Sequence, residues 1–434
     1  MRAVAAVVAA GLVVASGSSF SSSARRARME CANTKATIVG SPGDDVLEGT
    51  PGPDVIAGRG GDDVIRGRGG GDYVCGNAGA DTVYGGRGRP VHGSNADVLF
   101  GGPGDDRLLG GNLTDFLEGG PGSDVVRGGS GNDYLYGYAE VIASADAGDG
   151  ADRLVGGAGG DFFNAEGGRP PDYCCYLDPG DDRLRGGEGN DVLAASTGSD
   201  SLDGGSGSDW ASFESAVDAD LGRGTAFLAE DVDVLVAIEN LQGSREDDSL
   251  VGDDGPNRLW DSADSDVMDD DVLRGLGGDD YIQTFYGDDL AEGGDGDDSI
   301  DIVCCEEVDA DDDTFFGGPG DDRMSGGISG ADRLDGGEGI DLVSWLSLDE
   351  WGVTVDLAAG TAEADGTTSA ITGVESVEGG FGDDVLYGDA GPNLLLGEYG
   401  DDYLDGRDGI DTLDGGAGRE DVCANGEFVR RCEA

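Results

Sequence analysis

The sequence predicts an all-β solenoid, a stack of short strands joined by tight turns. A nine-residue pattern recurs along the chain and keeps its register over long blocks. Of 434 residues, 85 are Gly, far above the ordinary usage of about 7%, which excludes a mainly helical fold. Asp and Glu number 91 against 26 Lys and Arg, a net charge of −65. A chain so acidic and so poor in large apolar residues stays unfolded unless cations complete the fold. A polyanion also repels phosphates, which excludes nucleic acid and disfavours anionic membrane surfaces as partners.

From the N-terminus, Arg2 precedes an apolar run to Ala15, followed by small residues up to Ser22-Ser23-Ala24. This is the layout of a secretory signal peptide, residues 1–24, with cleavage expected between Ala15 and Ala24. The competing reading is an uncut anchor, but the run is about 13 residues where a bilayer needs roughly 20. Nothing later is apolar for as long, so no transmembrane segment is expected. The eight Cys suit an oxidising compartment. The expected location is extracellular, either free or associated with the cell surface.

The repeat follows. From Gly101 the chain reads GGPGDDRLL, GGNLTDFLE, GGPGSDVVR, GGSGNDYLY, four nonapeptides without a gap. The template is G-G-x-G-x-D-x-U-x, with U apolar. Its sixth position falls at Asp45, Asp54, Asp63, Asp72 and Asp81, then at Asp97, Asp106, Asp115, Asp124 and Asp133, and at Asp152 and Asp161. It returns at Asp182, Asp191, Asp200 and Asp209, and at Asp248. Later positions are Asp280, Asp289 and Asp298, then Asp313, Asp322, Asp332 and Asp341, and finally Asp384, Asp402 and Asp411.

Each position has a physical role. Glycines at one, two and four permit positive φ and close backbone approach, so six residues can form a turn whose carbonyls converge. The Asp at six adds a carboxylate, and a hard divalent cation using six to eight oxygens at about 2.3–2.6 Å fits such a set; Ca2+ is the natural candidate. Residues seven to nine form one short strand with U directed inward. Two nonapeptides make one coil, and stacked coils bury a narrow apolar column. One apolar side chain per nine ordered residues cannot offset the conformational entropy, so cation binding and folding are expected to be one process.

On these residues the chain resembles the RTX proteins, the haemolysin-type calcium-binding repeats of bacterial secreted proteins. The resemblance runs from Thr37 to Asp421 in roughly thirty repeat units. It implies a right-handed parallel β-roll in which the sixth-position Asp residues, with carbonyls of their own and a neighbouring turn, hold calcium. Asn257 and Asn393 replace that Asp, and Glu246 and Leu113 replace the fourth Gly. The family's usual export route reads a C-terminal signal, whereas this chain carries an N-terminal one.

The repeats divide into blocks at 37–212, 243–344 and 379–434, separated by inserts at 213–242 and 345–378. Both inserts alternate apolar and polar residues, Val217-Asp218-Ala219-Asp220-Leu221 in one and Val353-Thr354-Val355-Asp356-Leu357 in the other, and read as extra strands. They are expected to be spacers or caps, with Trp210, Phe213, Trp345 and Trp351 packed. Cys31 and Cys75 bracket the first coils and Cys423 and Cys432 the last, where local disulfides would staple the ends. Cys174-Cys175 and Cys304-Cys305 lie too far apart to bridge each other; each pair closes on itself or on nothing.

The sequence argues against an enzyme. Its one His, His92, has no nucleophile in a fixed motif, and no G-x-S-x-G, H-E-x-x-H or phosphate loop occurs. Three readings follow, in order of preference. The first is a secreted, non-enzymatic calcium-binding β-roll, the second a calcium-dependent adhesin that binds polysaccharide, and the third a polysaccharide-processing enzyme.

Overall fold

The computed structural model describes residues 36–87, 96–137, 153–158, 162–164, 181–194, 198–229, 231–261, 269–302, 311–326, 330–345, 352–364 and 366–432. The expectations on the signal peptide, Cys31, His92, Asp152, Asp161, Trp351 and both vicinal Cys pairs fall outside them. Among the described residues every regular element is a strand, and no helix is long and apolar enough to cross a membrane. The chain forms two compact units, Met1–Glu188 and Gly189–Ala434.

In the first unit the chain passes alternately between two rows of parallel strands. One row contains Val55–Gly60, Tyr73–Ala78, Val98–Phe100, Phe116–Glu118 and Tyr134–Tyr136. The other contains Val64–Arg68, Thr82–Arg87, Arg107–Asn112 and Val125–Ser130. Ile56 pairs with Val74, two nonapeptides on, so one coil is two repeats. Val74 then pairs with Leu99, because the segment before Asp97 lengthens that coil without disturbing the register. The inward U residues Ile56, Val74, Leu99, Leu117 and Leu135 of one row and Ile65, Val83, Leu108 and Val126 of the other are wholly buried. Period two therefore sends one side chain per rung into the column, as the repeat requires.

The second unit repeats this plan and includes both inserts. Each insert is a three-stranded antiparallel meander set into one row. Asp218–Asp220 pairs with Thr225–Leu228, which pairs with Asp231–Val236. The outer strands join the row in parallel, Asp231–Val236 beside Ser201–Ser206 and Asp218–Asp220 beside Ser249–Val251. The opposite row runs directly from Trp210–Ser212 to Asn240–Gln242. Thr354–Asp356, Thr361–Ala364 and Thr367–Thr372 are arranged identically between Arg333–Glu338 and Val385–Tyr387.

Inward residues of the meanders, Ala219, Ala226 and Leu235 or Val355, Ala362 and Ile371, continue the apolar column. The outer faces differ: Phe227, Val232, Val234 and Val236 stand exposed on the first, where Glu363, Thr368, Ala370 and Thr372 occupy the matching positions on the second. Trp210, Phe213 and Trp345 are buried, and Trp210 packs on Trp260 with ring centroids 4.2 Å apart. At the C-terminus a disulfide joins Cys423 and Cys432, with Cα atoms 5.8 Å apart. Cys75 is also disulfide-bonded.

Candidate metal centres

The turns between rungs place the acidic residues. In the regular turns positions two and four are left-handed, as at Gly102 (φ 108°) and Gly104 (φ 139°). Leu113 adopts the same conformation at position four (φ 83°), so the turn survives the loss of its glycine at a cost of about 1–2 kcal/mol. This backbone directs the sixth-position Asp under its own strand, where it is buried.

Those Asp residues form ladders along each unit. The backbone N–H of each donates to Oδ1 of the corresponding Asp one coil on. In the first unit Asp45 donates to Asp63, Asp63 to Asp81, Asp81 to Asp106 and Asp106 to Asp124, at 2.7–2.8 Å. The opposite edge runs from Asp54 through Asp72, Asp97 and Asp115 to Asp133. In the second unit Asp280, Asp298, Asp322 and Asp341 make one run, and Asp289, Asp313 and Asp332 belong to another.

Oδ1 is thus spent on the neighbouring coil, and the other oxygen has a different fate. Oδ2 of Asp63, Asp72, Asp81, Asp106, Asp115, Asp209, Asp280, Asp289, Asp298, Asp322, Asp341, Asp402 and Asp411 is buried and accepts no hydrogen bond from the protein. A buried carboxylate oxygen without a donor is costly in a native fold. Burial accordingly pushes these carboxyls up, Asp97 to about 7, Asp106 and Asp115 to about 8 and Asp289 to about 9, with neighbouring carboxylates adding to the shift.

The space in front of these oxygens is bounded by carbonyls. A Cβ built on Gly110 would lie 2.7 Å from Asp115 Oδ2 and 2.8 Å from the Gly128 carbonyl of the next coil. At Gly406 the corresponding distances are 2.5 Å to Asp411 Oδ2 and 2.8 Å to the Asn425 carbonyl. The first glycine therefore keeps open a cradle whose donors are carboxylate and carbonyl oxygens. Such donors suit hard cations such as Ca2+ and offer nothing to a soft metal.

Six turns differ, and they open the repeat blocks. At Asp45, Asp54, Asp248 and Asp384, Oδ2 accepts the N–H of Ser41, Thr50, Ser244 and Gly380, position two of the same turn. Asn257 and Asn393 accept in the same way from Asp253 and Asp389. None of these six turns has positive φ at position two or four. Glu246 fits the fourth position of one of them for that reason. Asn is required at two of them because the residue it faces, Glu239 or Glu375, offers a carbonyl, to which its amide donates at 2.9 and 3.3 Å.

The structure adds ligand-type residues that sequence reasoning missed. Asp271 lies in the ladder between Asp248 and Asp289, and Asp421 accepts from Asp402. Asp233, inside the first insert, accepts from Asp200. Glu239, Glu375 and Glu427 end their runs by accepting from Asp209, Asp341 and Asp411. The spacing of Asp271, one repeat before Asp280, is a signal that could have found it. The three Glu residues carried no such signal, because their longer side chains reach the N–H from beyond the repeat.

Parallel rungs whose turns present only buried carboxylate and carbonyl oxygens define a cation-binding β-roll. The profile of the RTX calcium-binding nonapeptide repeat (4 copies) matches residues 39–74, 76–90, 93–117, 109–139, 145–169, 176–211, 242–269, 268–300, 308–343, 371–398, 378–413 and 396–426. These segments cover well over half of the chain, which belongs to this family and is a calcium-binding repeat protein. The two meanders fall largely in the unmatched intervals. No curated protein matches the chain.

Proposed function

We propose that this is a secreted, non-enzymatic protein whose β-roll folds when Ca2+ occupies the cradles of its regular turns. The observation that carries the reading is the row of buried Asp Oδ2 atoms without protein donors, set beside carbonyls of the next coil at turns such as those of Asp115 and Asp411. The ligands are the sixth-position Asp residues of the regular turns, including Asp124, Asp133, Asp182, Asp191, Asp200, Asp313 and Asp332, together with the added Asp271 and Asp421. Bound calcium supplies the positive charge that lets neighbouring coils stack. The chain's own residues do the rest: glycines keep the cradle open, Oδ1 sets the coil spacing and the U column excludes water. The opening turns at Asp45, Asp54, Asp248 and Asp384 close on their own N–H groups and act as caps. Ligands that bind only the folded form stabilise it by mass action. Circular dichroism of the chain in EDTA and then in millimolar calcium tests this, with β structure expected only after calcium; identical spectra would overturn it.

A second reading, calcium-dependent adhesion to polysaccharide, is favoured by one observation. Phe381 and Tyr399 stack at 4.8 Å on adjacent coils while both remain nearly half exposed, an arrangement suited to the face of a sugar ring. Retention of the calcium-loaded protein on polysaccharide columns, lost in a Phe381→Ala/Tyr399→Ala double variant, would support it. Equal retention of the double variant would remove it.

A further inference from the structure

One strand row of the first unit has a basic outer face, although the chain as a whole carries −65. Across its six strands from Val64–Arg68 to Arg183–Glu188, two register lines flank the U residues. One line holds Arg107, Arg153 and Arg183 and the other Arg66, Arg127 and Arg185; their remaining positions are Val, Thr, Tyr or Leu. Six of these twelve positions are therefore Arg and none is Asp or Glu, where 26 basic residues in 434 would place fewer than one. Ile65, Leu108, Val126 and Leu184, between the lines, are buried, so the period of two turns Arg66, Arg107, Arg127, Arg183 and Arg185 outward. The opposite row of the same unit has no basic residue at the corresponding positions from Val55 to Tyr136.

The protein leaves much of this charge uncompensated. Among the described residues Arg107, Arg127 and Arg183 form no ion pair, and Arg127 Nε finds no acceptor. In the second unit, outward Arg residues of the strand row are held instead, Arg274 by Glu292 at 2.6 Å and Arg333 by Asp335 at 3.5 Å. Glu48, 3.8 Å from Arg66, bounds the basic track at its first coil. Asp62, Asp105 and Asp181 stand exposed in the turns that lead into the row, so acid lines one edge while the strand faces stay basic.

We propose that this face binds a linear polysaccharide bearing carboxylates, laid along the stack of coils. Six coils at about 4.8 Å give a track of about 24 Å, and each guanidinium fork can take a carboxylate through two parallel hydrogen bonds. A polymer with recurring charge matches donors that recur with the coils. A single glycan chain stays on the strands, whereas a wider DNA duplex would meet the carboxylates of Asp62 and Asp105 at the edge. The acidity of the chain does not oppose this once the cradles are filled: bound cations offset the ladder carboxylates, and at physiological salt a ligand senses mainly charges within about 8 Å.

The proposal rests on the calcium-loaded roll and, for its polysaccharide, on the second reading above, but the Phe381–Tyr399 stack lies in the other unit and plays no part in it. The probe is a set of hyaluronan oligosaccharides, linear and carboxylated, titrated into the full chain in calcium and followed by calorimetry. Affinity should rise with oligosaccharide length and fall with salt. An Arg107→Ser/Arg127→Ser/Arg183→Ser triple variant should bind at least tenfold more weakly, while Arg274→Ser/Arg333→Ser, which removes paired arginines, should match the parent. The corresponding triple Lys variant keeps the charge and loses the fork; several-fold weaker binding is expected, and it serves if the Ser variant fails to fold. Circular dichroism of the same samples separates loss of the roll from loss of the face. Phe381→Ala/Tyr399→Ala should retain hyaluronan even if it abolishes retention on neutral polysaccharide, so either reading can fail alone. No binding by the calcium-loaded parent, equal binding by both Arg triple variants and the parent, or equal affinity for neutral dextran or duplex DNA would overturn the assignment.

Discussion

The side-chain amide of Asn257 donates to the backbone carbonyl of Glu239 at 2.9 Å, where regular turns have an Asp carboxylate accepting an N–H. The donor and acceptor are exchanged because the Glu239 N–H, which a ladder carboxylate would accept, already donates to the Asp209 carbonyl at 3.2 Å, while the Glu239 carboxylate accepts the Asp209 N–H and ends one ladder run. Asn393 and Glu375 repeat the arrangement at 3.3 Å after the second insert. An insert therefore interrupts the ladder without leaving its ends unsatisfied. Asn257→Asp would set a carboxylate against that carbonyl and lose the donor. A loss of about 1–3 kcal/mol in calcium is expected from denaturant melts, with no additional ion bound. A variant more stable than the parent would contradict this account.

The first glycine of a regular turn is predicted to be intolerant because of the cradle. A methyl at Gly110 would sit 2.7 Å from Asp115 Oδ2 and 2.8 Å from the Gly128 carbonyl, in the space assigned to the ion. Gly110→Ala should lower the calcium count by at least one and destabilise the loaded protein by about 1–3 kcal/mol. Gly43 lies in an opening turn, and a Cβ there would meet nothing within 4 Å. Gly43→Ala should therefore stay within about 0.5 kcal/mol of the parent. Equal effects of the two substitutions would show that the cradle is not what the glycine protects.

The backbone of this fold was legible in the sequence because every constraint recurs at the same offset. Glycine frees φ, Asp fills the turn and U fills the column, so the register identifies rungs even where coil lengths change. What could not be read depends on partners beyond the repeat. Asp271, although on the register, was obscured by the run Asp269-Asp270-Asp271, which offers three candidates for one position. Asp421 was hidden by a one-residue slip from Asp411, and Asp233 by the V-D-V pattern of a strand that normally turns Asp outward. Asn257 and Asn393 looked like lost sites, although each is an adaptation to a Glu 18 residues earlier. That pairing is tertiary, and no local pattern announces it.

The metal-free chain should gain structure in acid. Burial raises the folded-state pKa of Asp97 to about 7 and of Asp106, Asp115 and Asp313 to about 8, against an ordinary 3.8. Between those limits the folded form binds more protons than the unfolded one, so its stability falls as pH rises through the window. Protons and calcium thus relieve the same buried charge. Circular dichroism in EDTA should show β content rising as pH is lowered from 8 towards 5, and calcium affinity should fall over the same range. A metal-free chain equally unstructured throughout that range would refute the electrostatic explanation of its calcium dependence.

The second insert is fastened to the roll by Arg407, whose guanidinium donates two 2.7 Å hydrogen bonds to Asp356 and a third to the Gly388 carbonyl at 2.9 Å. It also lies over the Tyr387 ring, 5.1 Å from the centroid. Both charged side chains are about one-third exposed, so solvent screens the pair and Arg407→Ala should cost no more than about 1 kcal/mol. Alanine retains a Cβ at φ 65°, so the variant reports on the guanidinium and not on relief of the left-handed backbone. Arg407 holds the Asp356 carboxyl below its ordinary value. Its contribution is therefore present at neutral pH and is lost as pH falls through the folded-state value, opposite in sign to the ladder carboxylates. A double-mutant cycle with Asp356→Ala, melted at neutral and at acid pH in calcium, should give a coupling at neutral pH that fades in acid. Coupling that persists unchanged in acid would mean that the two residues act through packing on Tyr387 and not through charge.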